Sequence, residues 1–70
     1  MYTVENIAPL IKSSMEHHVT AAEYHENAAD AHRQAAAYYR YGYYQQANEH
    51  ARLAKSYGQH AEEHCTRALE

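Results

Sequence analysis

The sequence predicts an all-α protein, an antiparallel two-helix hairpin with helices at about residues 6–40 and 44–69. Three observations predict this fold. Residues that break helices are sparse, and the few present are Pro9, Gly42 and Gly58. Alanine and histidine recur every seven residues along both predicted helices. The recurring residues also pair across a turn near Tyr41-Gly42, with residue numbers that add to 82.

The first predicted helix has two alternative starts. If Asn6 is the N-cap, Pro9 falls in the first turn, where its missing N–H costs nothing. If Thr3 caps a short helix instead, Pro9 produces a kink. From Leu10 to Arg40 no residue breaks a helix, and the frequent Ala, Glu, Gln and Arg favour one.

The turn and the second helix follow from the two glycines. Gly42 suits the left-handed residue that lies just past a helix end. The second helix therefore begins at about Tyr44 and continues towards the C-terminus. Gly58 is the weak point within it, because a glycine inside a helix costs about 1 kcal/mol relative to alanine.

The heptad pattern predicts an alanine-rich coiled-coil seam between the helices. Because facing residues of an antiparallel pair have a constant sum of residue numbers, the sum of 82 gives a register. The predicted alanine rungs are Ala21 with Ala61, Ala28 with Ala54, and Ala35 with Ala47. The predicted rungs of larger rings are His18 with His64, His25 with Tyr57, His32 with His50, and Tyr39 with Tyr43.

A seam of alanine is thin, and this predicts self-association. One buried methyl contributes on the order of 0.8 kcal/mol, whereas ordering a residue costs roughly 1.5 kcal/mol. In this register Ile7, Leu10 and Ile11 extend beyond the end of the second helix. A second stripe of small residues offers a surface for another copy: Ala22, Ala29, Ala36, Ala51, Gly58 and Cys65. We therefore expect a homodimer in which two hairpins form a four-helix bundle.

Length, charge and cysteine content exclude several classes of function. The 70 residues allow one small domain, residues 1–70. A net charge of −3 with interspersed signs argues against a nucleic-acid surface. No apolar run approaches the roughly 20 residues of a membrane span, and the N-terminus lacks the pattern of a signal peptide. A lone Cys65 predicts a reducing cytoplasm.

The seven histidines suggest a metal site as one alternative. His60 and His64 are four residues apart on a helix, a spacing that lets two imidazoles reach one ion. The register adds His18 opposite His64, with Cys65 adjacent and His17 as a spare ligand. Such N and S donors suit Zn²⁺, copper or Ni²⁺. The other alternative is that the imidazoles only fill the seam.

Five tyrosines surround the turn, in the segment Tyr38–Tyr44. Tyrosine is favoured at recognition surfaces, so this tip is a candidate site for a protein partner. Closing the end of the seam is the interpretation we favour, and Tyr41 is the residue expected to be most exposed. An oxyanion hole or a pocket is not evident, so no catalytic residue is predicted and the chain is not expected to be an enzyme.

Two resemblances are carried by the residues around the turn. Tyr38, Gly42, Tyr44, Ala47, Ala51 and Ala54 have the spacing of the helix junction in a tetratricopeptide repeat, which the chain resembles over about a quarter of its length. The early Trp and Leu-Gly positions of that repeat are absent. The ladder His-x-x-Ala-Ala followed by Gly-x-Tyr-x-x-Ala also resembles small Ala/His-rich bacterial helical-hairpin proteins of unassigned function.

The sequence thus predicts a non-enzymatic, self-associating helical module. The alternative is a small His-rich metal-binding protein with ligands near the open end of the hairpin, His18, His60, His64 and Cys65.

Overall fold

The computed structural model describes the backbone of residues 4–69 and the exposure of residues 9–69. Two helices account for this part of the chain, α1 (Val4–Arg40) and α2 (Tyr44–Leu69). They pack against each other as a hairpin, with Cα extents of 60 × 13 × 10 Å. The predicted all-α hairpin is confirmed, and both predicted helices end within a residue or two of their observed bounds.

The start of α1 tests one of the two predicted alternatives. Because the helix already includes Val4, a start at Asn6 is wrong. Pro9 lies inside the helix, where it lacks the N–H that would bond the carbonyl of Glu5. Thr3, the other predicted cap, lies outside the described residues.

The turn is a Schellman motif, which ends α1 at the predicted place. Gly42 has a φ of 82°, in the left-handed region. Its N–H donates to the Tyr39 carbonyl at 3.2 Å, and the Tyr43 N–H donates to the Tyr38 carbonyl at 2.9 Å. The rings of Tyr38 and Tyr43 meet edge to face, the apolar contact that accompanies this motif. The Tyr43 carbonyl then accepts the Ala47 N–H, which starts α2.

The core between the helices consists of alanine alone among residues 9–69. Its members are Ala21, Ala28, Ala31, Ala35, Ala47, Ala54, Ala61 and Ala68. All six alanines of the predicted rungs are in this set, which agrees with the register derived from the sequence. No side chain larger than alanine is buried in this range.

The predicted rungs of larger rings need a correction on α1. His18, His25 and His32 are exposed. The seam instead uses the residues one position earlier in each heptad, and these are His17, Tyr24, Ala31 and Tyr38. The predicted partners on α2 are half-buried as expected: His50, Tyr57 and His64. The residues that precede and follow the buried alanines of α1 both recur every seven positions, so the heptad pattern alone fits either row. In the structure the more apolar of these two rows faces α2.

Neither helix contains, within the described residues, an apolar stretch long enough to cross a membrane. The charged residues of residues 9–69 all lie on exposed positions. One exposed ion pair, Arg33 with Asp30 at 2.8 Å, joins successive turns of α1. A pair so exposed contributes at most about 1 kcal/mol.

Candidate functional site

A cluster of five aromatic side chains crosses the seam towards the open end of the hairpin. We call it the ring cluster, and its members are His17, Tyr24, Tyr57, His60 and His64. The first two come from α1 and the others from α2. The seam brings them together because neighbouring alanine rungs keep the two helices close.

His17 and His64 form the most specific contact in the ring cluster. Their Nδ1 atoms lie 2.9 Å apart, in hydrogen-bond range, although the residues are 47 positions apart in the chain. The two rings are tilted by 33° with centroids 5.1 Å apart. An N–H···N bond requires a proton on one Nδ1 and a lone pair on the other, so two neutral imidazoles joined in this way hold different tautomers. The pair joins α1 to α2.

Tyr24 holds the α2 side of the ring cluster in place. Its ring stacks on His60 with centroids at 5.1 Å and on His64 at 5.7 Å. A third contact, with Tyr57 at 6.3 Å, is tilted. Ring pairs at these separations contribute roughly 0.5–1.5 kcal/mol each beyond burial. Tyr24 therefore restricts the orientation of His64 before any ligand is present.

The structure does not gather the four predicted metal ligands. His18 and His60 are exposed, and His64 and Cys65 are half-buried. His64 meets His17 rather than His18, and His60 lies against the tyrosine of the ring cluster. Among the described residues, no three His, Cys, Asp or Glu side chains come close enough together to hold a metal ion. Across the seam His64 meets His17, the residue that the sequence suggested as a spare ligand.

One side of the hairpin is lined by small residues, and we call it the small-residue face. Its members are Ala22, Ala29, Ala36, Ala51, Gly58 and Cys65. The contact between the rings of Tyr39 and Tyr44, at 6.1 Å, shows which rows of the two helices border this face. The exposed histidines of α1 share the heptad position of Tyr39, and the small residues Ala51, Gly58 and Cys65 share the heptad position of Tyr44. Continued by heptads, this register assigns the exposed histidines of α1 to positions opposite Ala51, Gly58 and Cys65.

The opposite side of the hairpin is polar. Asn27, Asp30 and Gln34 of α1 border a shallow hollow there, together with Leu53 and Tyr57 of α2. Glu16, Glu23, Glu49 and Glu63 occupy the same side of the two helices by heptad position. The two sides of the hairpin therefore differ in chemistry: one carries rows of small residues beside the exposed histidines of α1, and the other carries more acidic and amide side chains.

Large apolar residues are exposed at the open end, as the register predicts. Leu10 and Ile11 are 61% and 52% exposed, and Met15 and Leu69 are exposed as well. They line an open hollow of about 370 Å³ that His18 also borders. The side chain of Ile7, the third residue predicted to overhang, lies outside the residues whose exposure is described.

The tyrosines at the turn divide between closing the seam and facing solvent. Tyr38 is half-buried against Tyr43 and His50. Tyr39 donates a hydrogen bond from its hydroxyl to Asn48 Oδ1 at 2.6 Å. Tyr41 is 71% exposed, the most of the five, as expected.

Sequence reasoning missed the roles of His17 and Tyr24. The signal was present in the heptads, because residues 17, 24, 31 and 38 are His, Tyr, Ala and Tyr, whereas residues 18, 25, 32 and 39 are three His and one Tyr. Alanine is among the residues most often buried, whereas histidine is intermediate. Weighing the two flanks by apolar character favours the flank that the structure uses.

These features define a class, an all-helical hairpin with an alanine seam, a cluster of imidazole and phenol rings and one small-residue face. Comparisons with protein-family models, with curated proteins and with solved structures find no match to this chain.

Proposed function

We propose that this protein is a non-enzymatic interaction module that pairs with a second copy through its small-residue face to form a four-helix bundle. The observation that carries the proposal is the core of the hairpin, in which alanine is the only buried residue type between residues 9 and 69. Such a core contributes little burial for the cost of ordering two long helices. A second layer of helices supplies the burial that one hairpin lacks.

The hairpin exposes more surface than a globular monomer of its mass, and the excess is similar to the area that a protein interface covers. The chain exposes 5613 Å², whereas a globular monomer of its mass exposes roughly 4,500 Å². The excess is about 1,100 Å², and a standard protein interface covers roughly 800 Å² on each partner. One partner of similar size accounts for most of this excess.

The small-residue face is the side best suited to the second copy. Gly58 lies within α2, where glycine costs about 1 kcal/mol relative to alanine. A Cβ added there would meet nothing within 4 Å in the hairpin, so packing between α1 and α2 does not explain the glycine. Close approach of another helix does explain it, because small residues let helix backbones come together.

The same arrangement covers the exposed residues of the open end. Ile11, Met15 and Leu69 border the small-residue face, and together with Leu10 they form the apolar end of that surface. The tip, with Tyr41 projecting into solvent, stays free to contact a protein partner. The lone thiol of Cys65 fits a reducing compartment such as the cytoplasm.

The test compares two alanines of α1 that are both exposed in the hairpin. Ala22 lies on the small-residue face, and Ala37 lies on the other side of the helix. Sedimentation equilibrium of the wild type should give twice the mass of the chain. Ala22→Glu should shift the equilibrium to monomer because two buried carboxylates are costly, whereas Ala37→Glu should leave the dimer intact.

A wild type that stays monomeric over a hundredfold range of concentration would overturn the proposal. Equal effects of the two glutamate substitutions would overturn the choice of face. Circular dichroism of both variants checks that the helices still form.

A further inference from the structure

The contact between His17 and His64 has the form of a two-donor metal site. The two Nδ1 atoms are 2.9 Å apart and come from different helices. Because a hydrogen bond between them needs at least one Nδ1 lone pair directed at the other ring, the two nitrogens converge on a common point. Both rings are half-buried, so each keeps a solvent-facing side on which it can adjust.

The site is ordered by contacts that do not involve a metal. Tyr24 stacks on His64 with an interplanar angle of 15°. Ala21 and Ala61, both buried, hold the helix backbones next to the pair. These contacts restrict the two rings beforehand, so less conformational freedom is lost on binding than in a mobile pair, although the two Nδ1 atoms still have to separate to admit an ion.

The donor count selects the kind of ion. Zinc in protein sites takes four ligands, and no third His, Cys, Asp or Glu joins this pair among the described residues. A monovalent d¹⁰ ion such as Cu⁺ accepts two ligands in a linear arrangement, and imidazole is among the ligands of copper, although Cu⁺ favours thiolates where they are available. With about 2 Å for each metal–nitrogen bond, the Nδ1 atoms must move apart by about 1 Å.

We propose that His17 and His64 bind one Cu⁺ ion between their Nδ1 atoms. The Nδ1 that carries the proton gives it up to solvent, and the Nε2 of the same ring takes one from solvent. No net proton is released and no electron is transferred, so the ion enters and leaves as Cu⁺. The site lies within one hairpin, and the inference does not depend on self-association.

The test is an anaerobic titration with Cu⁺ against a competing colorimetric chelator. It is carried out in the Cys65→Ala background, because a thiolate binds Cu⁺ on its own. One equivalent should bind, and His17→Ala and His64→Ala should each weaken binding at least tenfold. His18→Ala, a substitution of the exposed neighbour, is the matched control and should leave the affinity unchanged.

Nitrogen-15 NMR of the imidazole rings gives a second measurement on the folded chain. Addition of Cu⁺ should move the Nδ1 signals of His17 and His64 and leave those of His25 and His32 in place. His17→Gln, which keeps a polar side chain of similar length, guards against misfolding of the alanine variants. Stoichiometric binding that survives the loss of His17, or no binding once Cys65 is replaced, would overturn the proposal.

Discussion

At the scale of single residues, two positions control the geometry of the hairpin. Gly42 is the point where the chain reverses, and its φ of 82° places it in a region that other residues enter at a cost. Tyr24 contacts three of the other four members of the ring cluster. The turn thus depends on the absence of a side chain at Gly42, whereas the ring cluster depends on the large side chain of Tyr24.

Gly42→Ala should lower the free energy of unfolding by about 1 kcal/mol, because alanine is strained at this φ. Gly58→Ala is the matched control, since its new Cβ meets nothing within 4 Å in the hairpin and its helix propensity improves. At protein concentrations too low for self-association, Gly58→Ala should raise the free energy of unfolding by up to about 1 kcal/mol. Urea unfolding followed by circular dichroism measures both. Two changes of the same sign would contradict this account of the turn.

Tyr24→Ala should lower the free energy of unfolding by about 2 kcal/mol, because three ring contacts and a half-buried side chain are lost. Tyr41→Ala removes a side chain that is 71% exposed and should change it by less than about 0.5 kcal/mol. Both are measured by urea unfolding at one protein concentration, since self-association shifts the midpoint. If the two variants lose equal stability, the ring cluster does not contribute more to the stability of the hairpin than an exposed tyrosine does.

At the scale of helices, the sequence predicted the turn and the buried alanines, but it did not predict which rings of α1 lie beside those alanines. Gly42 and the constant sum of residue numbers are local or arithmetic signals, and they located both helices and their register. Rotating α1 by about 50° about its axis exchanges the row of His18 for the row of His17 at the interface with α2. His18 and His17 flank the same alanines, so periodicity alone does not choose between them. The apolar character of the two flanks favours the one that packs against α2, but periodicity does not use that information, and for that reason the candidate site shifted by one residue.

Ala54→Leu tests how closely α1 and α2 approach at the seam. Ala54 is 1% exposed, so three added carbons must displace the facing helix. The free energy of unfolding should fall by about 1–3 kcal/mol. Ala37→Leu, at an exposed position of α1, is the control and should have little effect. A stable Ala54→Leu variant would mean that the seam has room for larger side chains.

At the scale of the whole molecule, the hairpin is a thin rod. Its radius of gyration is 17.1 Å, whereas a compact domain of 70 residues has one of about 11 Å. A rod has much surface for its volume, and here that surface includes an apolar end and a small-residue face. The shape and the thin core lead independently to the same expectation of a second copy.

Thermal unfolding should depend on protein concentration if two hairpins unfold together. Each tenfold increase should add about 1.4 kcal/mol to the apparent stability of the dimer and raise Tm. Differential scanning calorimetry across two decades of concentration measures the shift. A Tm that does not move would mean that the hairpin is stable by itself. The Ala22→Glu variant should show a lower Tm with no such dependence.

The alanine seam also has a consequence for how the protein responds to temperature. The heat capacity change of unfolding scales with the apolar area that becomes exposed, and a methyl-lined seam has little to expose. A small heat capacity change gives a stability curve with little curvature. The hairpin should therefore show little loss of stability on the cold side of its stability curve, and burial added by a partner would increase the curvature.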